Sequence, residues 1–279
     1  MTGDVALRCS RPGDEPALKA LWKLVFGDGD ALIGAFFDTL YVPGGAVVAV
    51  QGGEILSAAH LLRGVTLRSA AGDGTPAAYF YALATLPQER GRGLGRAVTA
   101  ECIRLSRDRG ETFCLMPGDE GLRRWYAQSC GLTDMSRREQ HTLTGISPGE
   151  SGIVRPLTPA QYRARREAFL AGTAHADLPE NFFRFQAALC ALSGGGLLEL
   201  RRGNLSALAC GERDGDTLCL KELLTSGNRD QAAAALAADS GCGRCVAMVP
   251  AAPDTGSGAV MAAAPSPGLE NSWWGPVFD

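Results

Sequence analysis

The chain has few histidines, no excess of basic charge and no long apolar run, and each absence disfavours a class of protein. Its 279 residues include only His60, His141 and His175, which are far apart in sequence, so a histidine-built metal site is disfavoured. Lysine and arginine total 27 against 30 acidic residues, a formal charge of −3, which provides no positive field for nucleic acid. The longest apolar stretch, from Ala77 to Ala84, is far shorter than the roughly 20 residues of a membrane span.

The first residues also lack the basic start and apolar core of a secretory signal. With 46% hydrophobic and 20% charged residues, the composition is that of a folded protein, and we expect a cytoplasmic one with no membrane partner. The length fits one large domain or two ordinary ones. Nothing in the composition decides between a monomer and a homo-oligomer.

The cysteines do not have the number or spacing of a disulfide framework. The nine cysteines are odd in number and mostly lie in apolar segments, whereas a secreted disulfide scaffold is short and usually even in count. The only close pair is Cys242 and Cys245, which cannot alone supply the four ligands of a zinc ion. We interpret the pair as reduced thiols, expect no metal, and rank a redox protein far below the other hypotheses.

Turn residues and apolar periodicity predict one pattern of elements up to about residue 145. A strand is followed by two helices, a three-strand meander, a glycine-rich loop, a helix, a strand and a short helix. The predicted strands cover 5–8, 46–50, 55–67, 78–85 and 112–116, and the helices lie near 14–25, 32–40, 94–109 and 121–129.

The remainder of the chain repeats this order after a breaker-rich segment at 145–152. Strands are predicted at 153–155, 197–201, 205–212, 217–224 and 245–249, and helices at 162–170 and 229–238. We therefore predict an α/β (α+β) protein of two related domains, 1–147 and 153–279, each with a mixed, mainly antiparallel twisted sheet flanked by helices. The second domain has Thr225-Ser-Gly-Asn228 where the first has a glycine–arginine loop.

That loop, Arg90-Gly-Arg-Gly-Leu-Gly95 followed by Arg96, lies between a strand and a helix. Free N–H groups at a helix start, aided by the helix dipole, bind phosphate, and the glycines let the backbone approach it. No lysine follows as in the ATP-type loop, and the glycine spacing differs from the dinucleotide fingerprint. The alternative is an ordinary turn with solvated arginines. We favour an anion site.

The loop and its surroundings resemble motif A of the GNAT superfamily of acetyl-CoA-dependent N-acetyltransferases. The family pattern Gln/Arg-x-x-Gly-x-Gly/Ala is matched by Arg90-x-x-Gly93-x-Gly95. Downstream, Trp125-Tyr126 with Gly131-Leu132 is similar to the family's Phe-Tyr and Gly-Phe ending. The two-domain layout is distantly similar to enhanced-intracellular-survival-type acetyltransferases. Because 279 residues leave no room for the third domain of that type, we expect its drug-acetylating role to be a poor guide to the substrate.

The resemblance implies an acetyl-CoA cosubstrate and a primary amine of a small molecule or peptide as acceptor. The amine would attack the thioester directly in a ternary complex, and Tyr126 would give a proton to the departing thiolate. The pantetheine would lie along the strand residues Leu83, Ala84 and Thr85. The diphosphate would be held by Arg90, Gly91, Arg92, Gly93, Leu94, Gly95 and Arg96.

No residue stands out as the base that takes the amine proton. Asp28 and Asp30 could attract a cationic amine, although solvated loop acids are the simpler interpretation. Asp119 and Glu120 are explained as helix-cap residues. The C-terminal Asp279 is a weaker candidate for the acceptor site, and water could relay the proton. The acceptor itself is not specified by the sequence.

A second class of function stays open, namely a non-catalytic acyl-CoA-binding or sensing module.

The second domain lacks the phosphate loop, so one acetyl-CoA is expected per chain. In the acetyltransferase hypothesis, the second domain would shape the acceptor pocket. Arg163, Arg165 and Arg166 form a basic helix face in that domain, which we interpret as a solvated surface.

Overall fold

A computed structural model describes residues 4–147, 152–251, 255–265, 268–269 and 271–276. Its strands are, in chain order, β1 (Ala6–Cys9), β2 (Ala46–Gln51), β3 (Glu54–Arg68), β4 (Gly74–Thr85), β5 (Thr112–Leu115), β6 (Thr133–Asp134), β7 (Arg137–Thr144), β8 (Ile153–Pro156), β9 (His175–Asp177), β10 (Gly196–Arg202), β11 (Leu205–Asp214), β12 (Thr217–Thr225), β13 (Arg244–Pro250), β14 (Ser257–Gly258) and β15 (Met261–Ala262).

The helices alternate with these strands much as the apolar periodicity predicts. They are α1 (Glu15–Phe26), α2 (Asp30–Thr39), α3 (Leu94–Asp108), α4 (Glu120–Cys130), α5 (Pro159–Phe169), α6 (Glu180–Leu192) and α7 (Arg229–Asp239), with a 3-10 turn at Pro87–Glu89. The predicted bounds agree to within a few residues. α6 is an exception, because the sequence-based predictions include no element between residues 171 and 196.

The chain folds into two compact units. As far as the structure describes them, the first comprises Met1–Thr66, Thr75–Asp134 and Val260–Ser266, and the second comprises Leu67–Gly74, Met135–Ala259 and Pro267–Asp279. Each unit has its own sheet flanked by helices, so the predicted fold class is confirmed.

The strand orders of the two sheets correspond position by position. The first sheet has the order β1-β2-β3-β4-β5-β15-β6 and the second the order β8-β10-β11-β12-β13-β7-β14. β4 pairs with β5 in parallel, and β12 pairs with β13 in parallel, at the same place in each order. The repeated order of elements in the sequence therefore has a counterpart in the topology.

The units divide the chain differently from the predicted boundary at 147–153. β7 lies before that boundary but pairs with β13 and β14 in the second sheet. β15 lies after it but pairs with β5 and β6 in the first sheet. The breaker-rich segment marks a connection in the chain. It does not reveal which sheet a strand joins, because strand pairing is a long-range interaction.

Apolar side chains fill the interior of each unit. In the first, β3 is buried along most of its length, and Phe36, Val48 and Val98 are fully buried. In the second, small side chains of α7 such as Ala235 pack on the buried faces of β11, β12 and β13. The alanine-rich sequence of α7 thus reflects close packing of a helix on a sheet.

Candidate functional site

The first unit contains a fork between its two parallel strands. β4 and β5 pair from Ala77↔Thr112 to Phe80↔Leu115, and β5 then ends. β4 continues to Thr85. In the described part of the chain, no strand pairs with the β5-facing edge of residues 81–85. An extended ligand could therefore add to this edge as a strand would.

The segment predicted to bind the pantetheine lies on this open edge. Leu83, Ala84 and Thr85 form the last residues of β4. On the side toward β3, the Ser57 hydroxyl donates to the Ala84 carbonyl at 2.9 Å and lies 2.8 Å from the Thr85 hydroxyl. The segment is thus fixed on one side while the other side is left open.

The backbone is distorted at the point where the fork opens. Ala82 lies two residues beyond the last pair, at Phe80↔Leu115, and has a φ of 53°. This left-handed conformation costs a non-glycine residue about 1–2 kcal/mol. Such strain persists where the surrounding structure requires it, often at functional sites.

The glycine–arginine loop leads from the fork into α3. Gly91 and Gly93 have φ values of 79° and 80°, and a Cβ built on either would meet nothing within 4 Å. Among the described residues, no hydrogen bond is donated by the main-chain N–H groups from Gly91 to Arg96. Gly93, the residue before α3, provides no side-chain cap. The loop therefore presents unpaired donors and the positive end of a helix dipole to open space.

The start of α3 lies beside the end of β4. A Cβ built on Gly95 would be 3.6 Å from Leu83 Cδ2 and 3.7 Å from Thr85 Oγ1, which is ordinary van der Waals contact. The free N–H groups and the open strand edge are thus adjacent. A ligand with an anionic end and an extended end can contact both.

The three loop arginines differ in their surroundings. All three are exposed. Arg92 donates to Glu89 in an ion pair and approaches Gln51 Oε1 at 3.3 Å. Arg90 and Arg96 have no ion pair or hydrogen bond within the described residues, so Arg90 is the guanidinium nearest the loop start that is available for an anion.

Tyr126 lies near the fork on α4. The Asp119 carboxylate caps this helix by accepting from the Leu122 N–H at 2.7 Å, as its interpretation as a cap residue predicted. Tyr126 is 6% exposed. Its ring contacts that of Phe80, the last paired residue of β4, edge-on with a distance of 6.3 Å between the ring centroids. No described residue makes a hydrogen bond to its hydroxyl. Burial raises the pKa of that hydroxyl, which therefore keeps its proton at neutral pH.

Residues 6–122 match the family described as an acetyltransferase (GNAT) domain. This segment is a GNAT acetyltransferase domain. The match includes the fork and the glycine–arginine loop. It ends before Tyr126, so the role of Tyr126 is supported by its position in the structure and by the motif resemblance.

Solved structures show that the GNAT-type fold extends over nearly the whole chain. A GCN5-related N-acetyltransferase from Kribbella flavida is 16% identical, with a TM-score of 0.63 over 93% of this chain and 70% of its own. Eis1 from Mycobacterium abscessus is 16% identical, with a TM-score of 0.61 over 90% and 67%. A GCN5-related N-acetyltransferase from Sphaerobacter thermophilus is 15% identical, with a TM-score of 0.54 over 100% of both chains. At these identities the likeness concerns the fold. A search of curated proteins finds no match.

The carboxylates predicted near the acceptor of the GNAT domain have structural partners. Asp28 accepts from the Trp22 indole N–H at 2.7 Å, and exposed Asp30 pairs with Lys23 at 2.8 Å. Asp279 lies outside the described residues. The structure thus accounts for Asp28 and Asp30 without a ligand, and their role toward an amine stays a prediction.

An aromatic cluster surrounds His60 of β3 and has no counterpart among the sequence-based predictions. His60 is 3% exposed and contacts the rings of Trp22, Phe36, Phe37 and Tyr41 at centroid distances of 4.7–5.9 Å. Burial lowers the pKa of His60 to about 3, so the ring is neutral at pH 7. The available signal was a single histidine in the apolar run of β3.

In the second unit, the loop that corresponds to the glycine–arginine loop has main-chain N–H groups that donate hydrogen bonds within the chain. The Ser226 N–H donates to the Ser206 carbonyl at 3.0 Å, and the Gly227 N–H donates to the Thr225 hydroxyl at 3.1 Å. The Asn228 side chain caps α7 by accepting from the Gln231 N–H at 2.9 Å. These donors are therefore not available to a phosphate.

The described residues hold no group of three or more histidine, cysteine, aspartate or glutamate side chains arranged to bind a metal ion. They also include no helix with the length and apolar character needed to cross a membrane. The close pair Cys242 and Cys245 is buried, with both residues as free thiols.

Proposed function

We propose that the GNAT domain transfers the acetyl group of acetyl-CoA to a primary amine of a small molecule or peptide, by direct attack in a ternary complex. The observation that carries the proposal is the set of unpaired N–H groups from Gly91 to Arg96 beside the open edge of β4. A diphosphate with an extended arm is the ligand class that matches both features.

The residues present fit the diphosphate of acetyl-CoA. The space in front of Gly91 and Gly93 is open, and exposed Arg90 and Arg96 add charge with forked donors. The edge formed by residues 83–85 would hold the pantetheine through main-chain hydrogen bonds. When bound, acetyl-CoA supplies an activated acyl group as a thioester.

In this proposal Tyr126 is the general acid for the departing thiolate. Its ring contacts Phe80 at the fork, and its hydroxyl is protonated at neutral pH because burial raises the pKa. Main-chain N–H groups on the open edge of β4 would stabilise the developing oxyanion. No described carboxylate or imidazole is assigned as base. We propose that water carries the amine proton away.

The second unit would bind no acetyl-CoA, because the donors of its loop are used within the chain. This supports a stoichiometry of one acetyl-CoA per chain. The second unit would then have a structural role or a role in shaping the substrate site.

The test is a turnover screen with acetyl-CoA against polyamines, aminoglycosides, amino acids and peptides, followed by the Tyr126→Phe variant. We expect kcat to fall by about 100-fold or more, since a general acid contributes about 10²–10⁴ in rate. The Kd of acetyl-CoA should be unchanged, because Phe keeps the ring contact with Phe80. Tyr41→Phe, which removes a buried hydroxyl that has no partner among the described residues, is the matched control.

The non-catalytic alternative predicts a different result. A binding or sensing module would bind acetyl-CoA with the same dependence on the loop, but it would release no coenzyme A with any amine of the panel. Turnover that is equal in the wild type and in Tyr126→Phe would contradict the acid role and leave the binding site intact.

A further inference from the structure

The second unit contains a cavity of about 520 Å³ that the proposed acetyl transfer does not use. It is lined by the turn Arg68–Gly72, by α5 and by the segment that connects α5 to β9. This volume is within the range of small-molecule sites, about 300–1,000 Å³. Its charged and polar lining residues are Arg68, Ser69, Arg163, Glu167, His175 and Asp177.

Two arginines that line this cavity donate to the same carboxylate, and each has an Nη1 group without an acceptor among the described residues. Asp177, of which 6% is exposed, accepts from Arg68 Nη2 at 2.7 Å and from Arg163 Nη2 at 2.8 Å. Arg163 Nε donates to the Leu178 carbonyl at 2.8 Å. In the described residues, the Nη1 group of each arginine donates to no acceptor. Each guanidinium is therefore oriented by the protein with part of its fork unused.

His175 lies in the same cavity wall. One ring nitrogen lies 2.7 Å from the Thr173 carbonyl oxygen and the other lies 3.0 Å from a Glu167 carboxylate oxygen. The second Glu167 oxygen accepts from Arg166 at 3.1 Å.

Ser69 contributes a hydroxyl that is shielded from solvent. Its Oγ is buried and has no hydrogen-bond partner among the residues that the structure describes. Buried polar atoms are rarely left unpaired, so such an atom in a cavity wall points to a missing polar partner. The turn that carries Ser69 is fixed by the hydrogen bonds from Ser69 N to Asp73 O and from Gly72 N to Ser69 O, both 2.9 Å.

The unused donors of this wall favour an anion. The guanidinium groups of Arg68 and Arg163 line it together with the carboxylates of Glu167 and Asp177. Each carboxylate oxygen already lies within hydrogen-bond distance of an arginine or of the His175 ring. Among the described residues, the two Nη1 groups and the Ser69 hydroxyl have no acceptor. Planar guanidinium donors bind carboxylate and phosphate oxygens in preference to neutral groups.

We propose that this cavity binds a small molecule through an oxyanion, either a carboxylate or a phosphate. Arg68 and Arg163 would supply charge-assisted hydrogen bonds, and Ser69 a neutral one. The interpretation of the Arg163, Arg165 and Arg166 face as a solvated surface is wrong for Arg166, which is completely buried. Arg163 and Arg165 keep part of their side chains exposed, and in this proposal Arg163 contacts the ligand. The proposal does not depend on the acetyltransferase activity.

The experiment is calorimetric titration of the full chain with inorganic phosphate and with succinate, using chloride at equal ionic strength as the reference. We expect saturable binding of at least one oxyanion, and the preferred anion identifies the ligand as a phosphate or a carboxylate. Arg163→Gln should weaken this binding by about tenfold or more, since hydrogen bonds from charged groups are strong.

Arg165→Gln is the matched control. It removes the same charge from the same helix, but Arg165 pairs with Glu199 and does not line the cavity. Ser69→Ala is a second variant that leaves all charges in place and should weaken binding by about threefold. It decides the question if Arg163→Gln fails to fold by circular dichroism.

Three results would overturn the proposal. They are heats no larger than those of chloride for both oxyanions, equal weakening by Arg163→Gln and Arg165→Gln, and binding that survives both Arg163→Gln and Ser69→Ala. The last result would locate the anion elsewhere, for example at the glycine–arginine loop.

Discussion

The two strand–loop–helix connections of this chain stand at the same place in two sheets of the same strand order, yet they treat their backbone donors in opposite ways. Before α7, the side chains of Thr225 and Asn228 accept from the loop and the first helical turn. Before α3, Gly93 provides no cap and the N–H groups stay free. The proposed anion site therefore lies at a helix start whose N–H groups have no acceptor among the described residues.

The second sheet also has a fork, because β12 continues to Thr225 beyond its last parallel pair with β13, Leu220↔Ala247. The residues at the two forks differ in the same way as the loops. Two positions beyond the last parallel pair, the first sheet has Ala82 and the second has Glu222. Glu222 is fully buried and accepts from Tyr162 at 2.7 Å, from Arg166 at 3.0 Å and from Trp273 at 2.6 Å. The second fork carries an internal network of charged and polar groups, whereas the first carries a small side chain on a strained backbone.

The strongest test of this contrast is Glu222→Gln. Removing one partner of a buried ion pair leaves Arg166 without full compensation, and we expect the free energy of unfolding to fall by about 3 kcal/mol. Urea unfolding measures the change. Glu212→Gln removes a partly exposed carboxylate that lies 3.8 Å from Lys221 in the same sheet, and should change stability by less than about 0.5 kcal/mol. Equal effects would mean that the network is not a stabilising feature of the second fork.

The next test blocks the open loop. Gly93→Ala adds a Cβ at a φ of 80° and places it in the space where we expect the diphosphate. Acetyl-CoA binding, measured by calorimetry, should weaken by about 100-fold, the equivalent of one or two charge-assisted hydrogen bonds.

Gly215→Ala controls for the strain in that variant. Gly215 has a φ of 56° in the turn between β11 and β12 and also faces open space. Its substitution should cost similar stability and leave the Kd of acetyl-CoA unchanged. If both variants bound acetyl-CoA alike, the loop before α3 would not be the site.

A finer test compares two arginines of the same loop. Arg90→Gln should weaken acetyl-CoA binding by about tenfold, because this guanidinium has no other partner among the described residues. Arg92→Gln should weaken it by about threefold or less, because Arg92 is already paired with Glu89. Titrations at low and high salt measure both effects. The reverse ranking would show that Arg92 leaves Glu89 to bind the anion.

The smallest expected effect concerns the capped loop. Asn228→Ala removes the cap of α7 and should lower the free energy of unfolding by about 1 kcal/mol. Asp119→Ala removes the corresponding cap of α4 and sets the scale for this chain. The Kd of acetyl-CoA should not change in Asn228→Ala. A change would show that the second loop also takes part in binding.

Local sequence predicted a large part of the fold and of the candidate site. Most helices and strands were expected within a few residues of their observed bounds, since apolar periodicity and turn residues act locally. The loop from Arg90 to Arg96 was found because alternating glycines at a strand–helix junction have no packing explanation. The burial of His60 and Arg166 was not found, because it depends on partners far away in the chain.

The amino-acid sequence by itself thus determined the glycine–arginine loop, the repeated order of elements and the resemblance to the GNAT superfamily. Tertiary structure alone decided that β7 joins the second sheet and β15 the first. It also decided that one helix start is free and the other capped, and that Asp177, Arg68 and Arg163 surround one cavity. The physical reason is that glycine conformations and helix starts are set by adjacent residues, whereas sheet edges and buried ion pairs are completed by residues that only folding brings together.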